Sequence, residues 1–250
     1  KDSTAGRLLA KKMKTVLSQE KRYEKLAQYM TQKPLEEEQI QLFFSDIQPL
    51  PASKVLIQLE KENLSIGERI LSQGLQLTVR GQEKIGIIGQ NGIGKSTLLA
   101  KFQQLLSAKR EISLGYMPQD YHKKLQLDLS PIAYLNKTGE KEELQKIQSH
   151  LASLNFSYPE MQHQIRSLSG GQQGKLLLLD LVLCKPNFLL LDEPTRNFSP
   201  TSQPEIRKLF ANYPGGLITV SHDRRFLKEV CTSIYRLTEN GLEVVDLQDL

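Results

Sequence analysis

The sequence predicts an α/β domain with a mostly parallel central sheet, and three observations carry that prediction. The run Lys84-Ile-Gly-Ile-Ile88 reads as a buried strand, passes into Gly89-Gln-Asn-Gly-Ile-Gly-Lys-Ser-Thr97, and continues over residues 98–106 with helical spacing. Strand, glycine-rich turn and helix in that order are the setting of a phosphate-binding loop. Further apolar strands, over residues 112–117, 188–192 and 217–221, alternate with helical stretches, the pattern of a sheet covered by helices. Each of these strands also ends in polar groups: Gln119, Asp192-Glu193 and His222-Asp223.

The 250 residues suffice for one large domain with an appendage, and a hydrophobic content of 39% supports a proper core. No run approaches about 18 uninterrupted apolar residues, so no membrane insertion is expected. The chain starts at Lys1 without a secretory signal and reads as a piece of a longer protein. Cys184 and Cys231 lack ligand spacing and are expected to be buried thiols in a reducing, cytoplasmic setting. Charge is unevenly placed. Residues 1–25 hold eight Lys/Arg against three Asp/Glu, which accounts for the whole net charge of +5.

In chain order, residues 5–33 carry no proline, and Leu9, Met13, Val16, Glu20, Tyr23, Ala27 and Met30 form a heptad seam broken only by Glu20. Basic residues fill the other face. This predicts one arm of a helical hairpin that presents cations to nucleic-acid phosphates; a surface helix with merely solvated lysines is the plainer alternative. Pro34 ends the arm, and residues 34–53, with Glu36-Glu37-Glu38, Pro49 and Pro51, read as a connector. The expected domains are therefore 1–53, basic arm and connector, and 54–250, the nucleotide-binding domain. Strands are predicted at 55–59 and 75–79, with a tight turn at Gly67-Glu68. Residues 120–168 read as helical and polar with a break near 157–159, and a helix follows over 174–183, giving a helical subdomain of about 120–184. A hairpin with an Asn240-Gly241 turn closes the chain.

The chemistry sits at the strand ends. Gly89, Gln90, Asn91, Gly92, Ile93, Gly94, Lys95, Ser96 and Thr97 make the phosphate loop, with glycines that turn successive N–H groups inward at a helix N-terminus. Lys95 is placed to reach the β- and γ-phosphates of a nucleoside triphosphate, and the Ser96 hydroxyl to take a position on Mg²⁺. Asp192 would hold the same metal through water, and Glu193 would act as general base on the water attacking the γ-phosphate. His222 would contact the γ-phosphate or orient that water, and Gln119 would sense both Mg²⁺ and the water. Singly, each of these has an ordinary structural explanation; their conjunction does not.

Gly-x-x-x-x-Gly-Lys-Ser at 89–96, Gln119, Leu-Ser-Gly-Gly-Gln at 168–172, Leu-Leu-Leu-Asp-Glu-Pro-Thr at 189–195 and His222, in this order, resemble the nucleotide-binding domain of ATP-binding cassette (ABC) proteins. The resemblance covers roughly residues 54–250 and implies a P-loop NTPase fold of ABC type with a helical signature subdomain. It also implies ATP and Mg²⁺ as ligands, ATP hydrolysis, and a sandwich of two cassettes. In such a sandwich Ser169, Gly170, Gly171 and Gln172 present a helix N-terminus to ATP held by the partner. The short interval between Gln119 and the signature, with the basic helical linker arm before the domain, is similar to ABC-F proteins, which carry two cassettes in one chain and act on ribosomes. Compared with these, the chain would be the C-terminal cassette, with the second cassette upstream and the ribosome or its RNA as partner of the arm. The alternatives are the nucleotide-binding subunit of a membrane transporter and a regulatory module that binds ATP without turnover.

Two departures stand out. Where most ABC-F cassettes continue Asn-His-Leu-Asp after Asp192-Glu-Pro-Thr195, this chain has Arg196-Asn-Phe-Ser199, similar to the antibiotic-resistance branch. The aromatic residue that usually stacks on adenine has no counterpart, and Ile66 falls near its place, a loss of about 1 kcal/mol of stacking.

Overall fold

The structure, a computed structural model, describes residue 40 and residues 42–249. The predicted arm over residues 5–33 and the beginning of the connector lie outside the described residues.

Among the described residues, eight strands form two sheets. β1 (Val55–Ile66) and β2 (Arg69–Arg80) make an antiparallel hairpin that turns at Gly67-Glu68, where the glycine takes φ 57°. Both strands run well beyond the segments that alternation predicts. Glu60, Lys61 and Glu62 face solvent there; Glu60 and Glu62 pair with Gln76 and Leu75 of β2, and Lys61 between them takes φ 55° at a register shift. The second sheet has the order β4-β5-β6-β3-β7-β8, from β3 (Lys84–Ile88), β4 (Leu114–Met117), β5 (Phe188–Asp192), β6 (Gly216–Val220), β7 (Ser233–Thr238) and β8 (Gly241–Val245). All neighbours are parallel except β7 and β8. The closing loop is Glu239-Asn240, one residue earlier than predicted, because Gly241 already pairs with Thr238 as it enters β8 at φ 115°.

The central strands are buried on both faces, as parallel strands covered by helices are. One face of the sheet, with Ile85, Ile87, Phe188, Leu190, Ile218 and Val220, packs in one cluster with the hairpin and α1 (Lys95–Ser107). α1 turns Leu98, Leu99, Phe102 and Leu106 inward, a spacing that makes one apolar stripe. The opposite face, with Leu189, Leu191, Leu217 and Ile234, packs with the C-terminal helices. Phe102 is fully buried, so Phe102→Ala is expected to lower the unfolding free energy by about 3–5 kcal/mol, read as a lower urea midpoint.

Between β4 and β5 lie α2 (Pro131–Leu135), α3 (Lys141–Ser153), α4 (Tyr158–Gln162) and α5 (Gly170–Leu183). The predicted break near 157–159 is a helix start: the Ser157 N–H and hydroxyl both donate to Glu160 Oε2 at 2.7 Å, a capping box. α6 (Gln203–Ala211) and α7 (Arg224–Val230) were not predicted. Among connector residues, Leu42 and Leu50 are buried, and the Phe44 ring meets Tyr213 edge-on at 4.8 Å.

Cys184 corrects an expectation. It is exposed at the end of α5, where Lys137 Nζ donates to its sulfur at 3.3 Å and to the buried Asp180 carboxylate at 3.1 Å. Cys231 is buried, which pushes its thiol pKa up to about 12. Both thiols are free.

Candidate functional site

The C-terminal ends of β3, β5 and β6 converge, and ligands of open α/β sheets bind at that edge. There the chain forms a cavity of about 720 Å³ lined by Ile66, Leu71, Asn91, Gly92, Gly94, Lys95, Ser96, Thr97, Gln119, Asp192, Glu193, Arg196, Val220 and His222. Residues from four separate sequence stretches singled out for their chemistry, the phosphate loop, Gln119, Asp192-Glu193 and His222, thus meet around one space. Gly89, Gln90 and Ile93 of the same loop line an adjoining cavity of about 710 Å³ instead. Ser169, Gly170, Gly171 and Gln172 line neither.

The phosphate loop owes its shape to backbone angles that side chains resist. Gly92 has φ 83° and Gly94, the residue before α1, has φ 107°. A Cβ on Gly92 would meet nothing within 4 Å, so the space beside it is open; on Gly94 it would strike Leu71 Cδ1 at 2.8 Å. The first N–H groups of α1 have no carbonyl of their own helix to bond and carry the positive end of its dipole, which suits phosphate. Lys95 Nζ folds back on the loop, donating to Gly89 O at 2.7 Å and Gln90 O at 2.9 Å. Burial lowers its pKa, opposed by the charges of Glu193 and Asp192.

Across the cavity, Ser96 Oγ donates to Asp192 Oδ2 at 3.4 Å. A hydroxyl and a carboxylate at that separation are hard oxygen donors of the kind that Mg²⁺ takes together with substrate phosphates. Asp192 is 6% exposed, and burial raises its pKa against the Ser96 hydrogen bond and the nearby positive charges.

Glu193 follows in a conformation that side chains seldom take, with φ 52°. The Glu193 N–H donates to Val220 O at 2.8 Å, tying the turn to β6. Its carboxylate accepts the His222 backbone N–H at 3.2 Å, and His222 Nε2 lies 3.6 Å from Oε1. Burial pushes the Glu193 carboxyl above the usual range, opposed chiefly by that hydrogen bond. The result is a half-buried carboxylate, fixed on one side and open to the cavity on the other, the arrangement a general base requires.

The signature segment starts α5. Ser169 Oγ accepts the Gln172 N–H at 3.2 Å and Gln172 Oε1 accepts the Ser169 N–H at 3.0 Å, a reciprocal capping box. Gln172 Nε2 also donates to Glu160 Oε1 at 2.6 Å, anchoring the box to α4. Ser169→Ala is expected to cost about 1 kcal/mol of stability, seen as a small drop in melting temperature.

Leu71 and Arg196 are cavity residues that sequence reasoning did not assign to the site. Ile66 lines the cavity, as its position suggested, and is 59% exposed. Among the described residues, no helix is long and apolar enough to cross a membrane.

A protein-family model described as ABC transporter matches residues 72–196. The probable ATP-binding protein YheS of Escherichia coli K12 is 31% identical over 210 residues, which cover 81% of this chain and 33% of YheS. The putative ATP-binding protein YdiF of Bacillus subtilis 168 is 32% identical over 252 residues, covering 95% of this chain and 38% of YdiF. The chain spans about a third of the length of such curated relatives. A solved dimeric structure of the ATP-binding cassette MJ0796, in a post-hydrolysis state bound to ADP and Pi, superposes with a TM-score of 0.63 at 18% identity. It covers 76% of this chain and 98% of that one, which establishes the ABC ATPase fold. The family match runs from inside the hairpin to the end of the Asp192 turn and so spans half of the sequence, and the chain belongs to the ABC transporter family as one of its ATP-binding cassettes.

Proposed function

We propose that this chain binds ATP with Mg²⁺ in the cavity beside Lys95 and hydrolyses it in a sandwich with a second cassette, as the C-terminal cassette of an ABC-F protein acting on the ribosome. The function is that of a cytoplasmic translation factor or a protein that shields the ribosome from antibiotics. One observation carries the catalytic part: the Ser96–Asp192 contact at 3.4 Å and the Glu193–His222 pair at 3.6 Å lie on the wall of one cavity.

The residues divide the work as follows. The N–H groups of Gly92 to Thr97 and the Lys95 ammonium bind the phosphates. Ser96 and Asp192 would hold Mg²⁺, with Gln119 on the same cavity lining, and the metal would supply charge neutralisation for the phosphate oxygens. Glu193 takes the proton from the attacking water, and burial makes it a stronger base than a free glutamate. The His222 N–H keeps that carboxylate aimed. Ser169, Gly170, Gly171 and Gln172, which lie off the chain's own cavity lining, serve ATP held by the second cassette. The dimeric cassettes among the structural relatives favour that arrangement.

The ribosomal part rests on the basic arm, whose eight Lys/Arg over residues 1–25 suit an RNA surface. A second reading, the nucleotide-binding subunit of a transporter, is favoured by a structural relative described as a bacterial ABC transporter cassette. Sedimentation of the full natural chain carrying Glu193→Gln with ribosomes, with and without ATP, separates the two. ATP-dependent pelleting supports the ribosomal reading, whereas a protein that stays in the supernatant under both conditions points to a membrane partner. Replacing Lys11, Lys12 and Lys14 by alanine is expected to weaken pelleting and to flatten its salt dependence, by roughly one unit of log-log slope per lost phosphate contact.

A further inference from the structure

Arg196 stands where most ABC-F cassettes have asparagine, and its surroundings give it a task. The segment that carries it is fixed from several sides. Glu193 O accepts the Arg196 N–H at 3.1 Å, and Thr195 Oγ1 donates to Asp223 Oδ2 at 3.2 Å. Phe198 is buried, and a Cβ on Gly174 of α5 would lie 2.8 Å from its ring, so the loop is clamped against that helix. The backbone of Arg196 is therefore held one turn from Glu193, and its side chain lines the same cavity as Lys95, Asp192 and His222. The guanidinium is exposed and, among the described residues, pairs with no carboxylate within 4.0 Å. A guanidinium keeps its charge at any working pH and presents a planar fork that suits phosphate oxygens.

Contacts along the cavity lining select the ligand group. Leu71 lies against the loop at Gly94, where a Cβ would come within 2.8 Å of its Cδ1, whereas Ser96 bonds Asp192 at 3.4 Å and Glu193 Oε1 lies 3.6 Å from His222 Nε2. Arg196 belongs with the acids through its hydrogen-bonded turn with Glu193. Lys95 is placed to reach the β- and γ-phosphates from the loop, and a second cation beside Glu193 would add to it where a triphosphate carries the charge that a diphosphate lacks.

We propose that Arg196 contacts the terminal phosphate of the bound nucleotide and thereby sets the preference of this cassette for nucleoside triphosphate over diphosphate. The proposal deepens the ATP-site reading and rests on it.

The test is equilibrium binding of the non-hydrolysable triphosphate AMP-PNP and of ADP, each with Mg²⁺, to the full natural chain and to its Arg196→Asn and Arg196→Lys variants. Arg196→Asn is expected to weaken AMP-PNP binding about tenfold, as loss of a charge-assisted hydrogen bond does, while ADP affinity stays within about twofold. Arg196→Lys, which keeps the charge but loses the fork, should fall between the two. The unchanged ADP affinity also reports an intact fold. If both nucleotides weaken by the same factor, or neither does, the assignment of Arg196 to the terminal phosphate is overturned while the ATP site stands. A parent chain that binds neither nucleotide would overturn the ATP-site reading itself, and this proposal with it.

Discussion

Glu193→Gln is expected to lower ATP turnover by about 10²–10⁴-fold while leaving ATP binding nearly unchanged, because general-base assistance contributes in that range and the amide cannot accept the water's proton. The substitution keeps the side chain's size and an oxygen that can accept the His222 N–H, now 3.2 Å from the carboxylate. What is lost is the basic site. The pH dependence gives an independent reading. Burial raises the Glu193 pKa, and catalysis needs the ionised form, so turnover should fall as pH is lowered through that raised value. The fall should begin at a higher pH than an ordinary glutamate would give, and the glutamine variant should lose this acidic limb. Phosphate release measured across pH for both proteins checks the magnitude and the sign together. Equal turnover in the two would remove Glu193 from the chemistry.

Lys95→Ala should weaken nucleotide binding by a factor on the order of 10²–10³, since each hydrogen bond to a charged group contributes about 1.5–3 kcal/mol. The ammonium now donates to Gly89 O and Gln90 O. Both carbonyls belong to a loop bordering open cavities, so water can replace the lost donor, and the fold should stay within about 1 kcal/mol of the parent. Titration calorimetry with MgATP, beside a thermal melt, separates lost affinity from lost structure. Normal binding by the variant would mean that the loop's N–H groups alone hold the phosphates.

The strands and the site were legible because their signals are local. A buried parallel strand such as β5 is apolar along its length until Asp192, and a phosphate loop needs glycine where φ is positive, so both leave marks within a few residues. The two missed helices are short, and their apolar residues are few: Ile206, Leu209 and Phe210 in α6, Phe226, Leu227 and Val230 in α7. Packing on the sheet, rather than local pattern, holds them. Cap signals were nevertheless present. Asp223 accepts the N–H groups of Arg225 at 3.0 Å and Phe226 at 3.1 Å, and Pro204 sits in the first turn of α6. The outer halves of β1 and β2 left no mark, because exposed Glu60 and Glu62 join the strand only through pairing with Gln76 and Leu75 of its partner. Cys184 was misplaced for a similar reason. Its neighbours in sequence are apolar, but Lys137 and Asp180 reach it only in the folded chain. Arg196 was visible in the sequence as a departure; that it lines the cavity with Asp192 and His222 depends on the turn at Glu193.

In the proposed function ATP is hydrolysed between two cassettes, with the signature of one acting on the nucleotide of the other. Gly170, the first residue of α5, offers the most direct measurement, because a Cβ there would meet nothing within 4 Å in this chain. Gly170→Asp should therefore leave the fold intact, with a carboxylate favoured at a helix N-terminus, and should leave nucleotide affinity at the Lys95 cavity unchanged. It would set a negative charge where the partner's nucleotide presents its own phosphates. Phosphate release by the full natural chain is expected to fall at least about tenfold, on the order of the discrimination that a misplaced charge imposes. Unchanged release from a folded, ATP-binding Gly170→Asp variant would rule out hydrolysis between two cassettes.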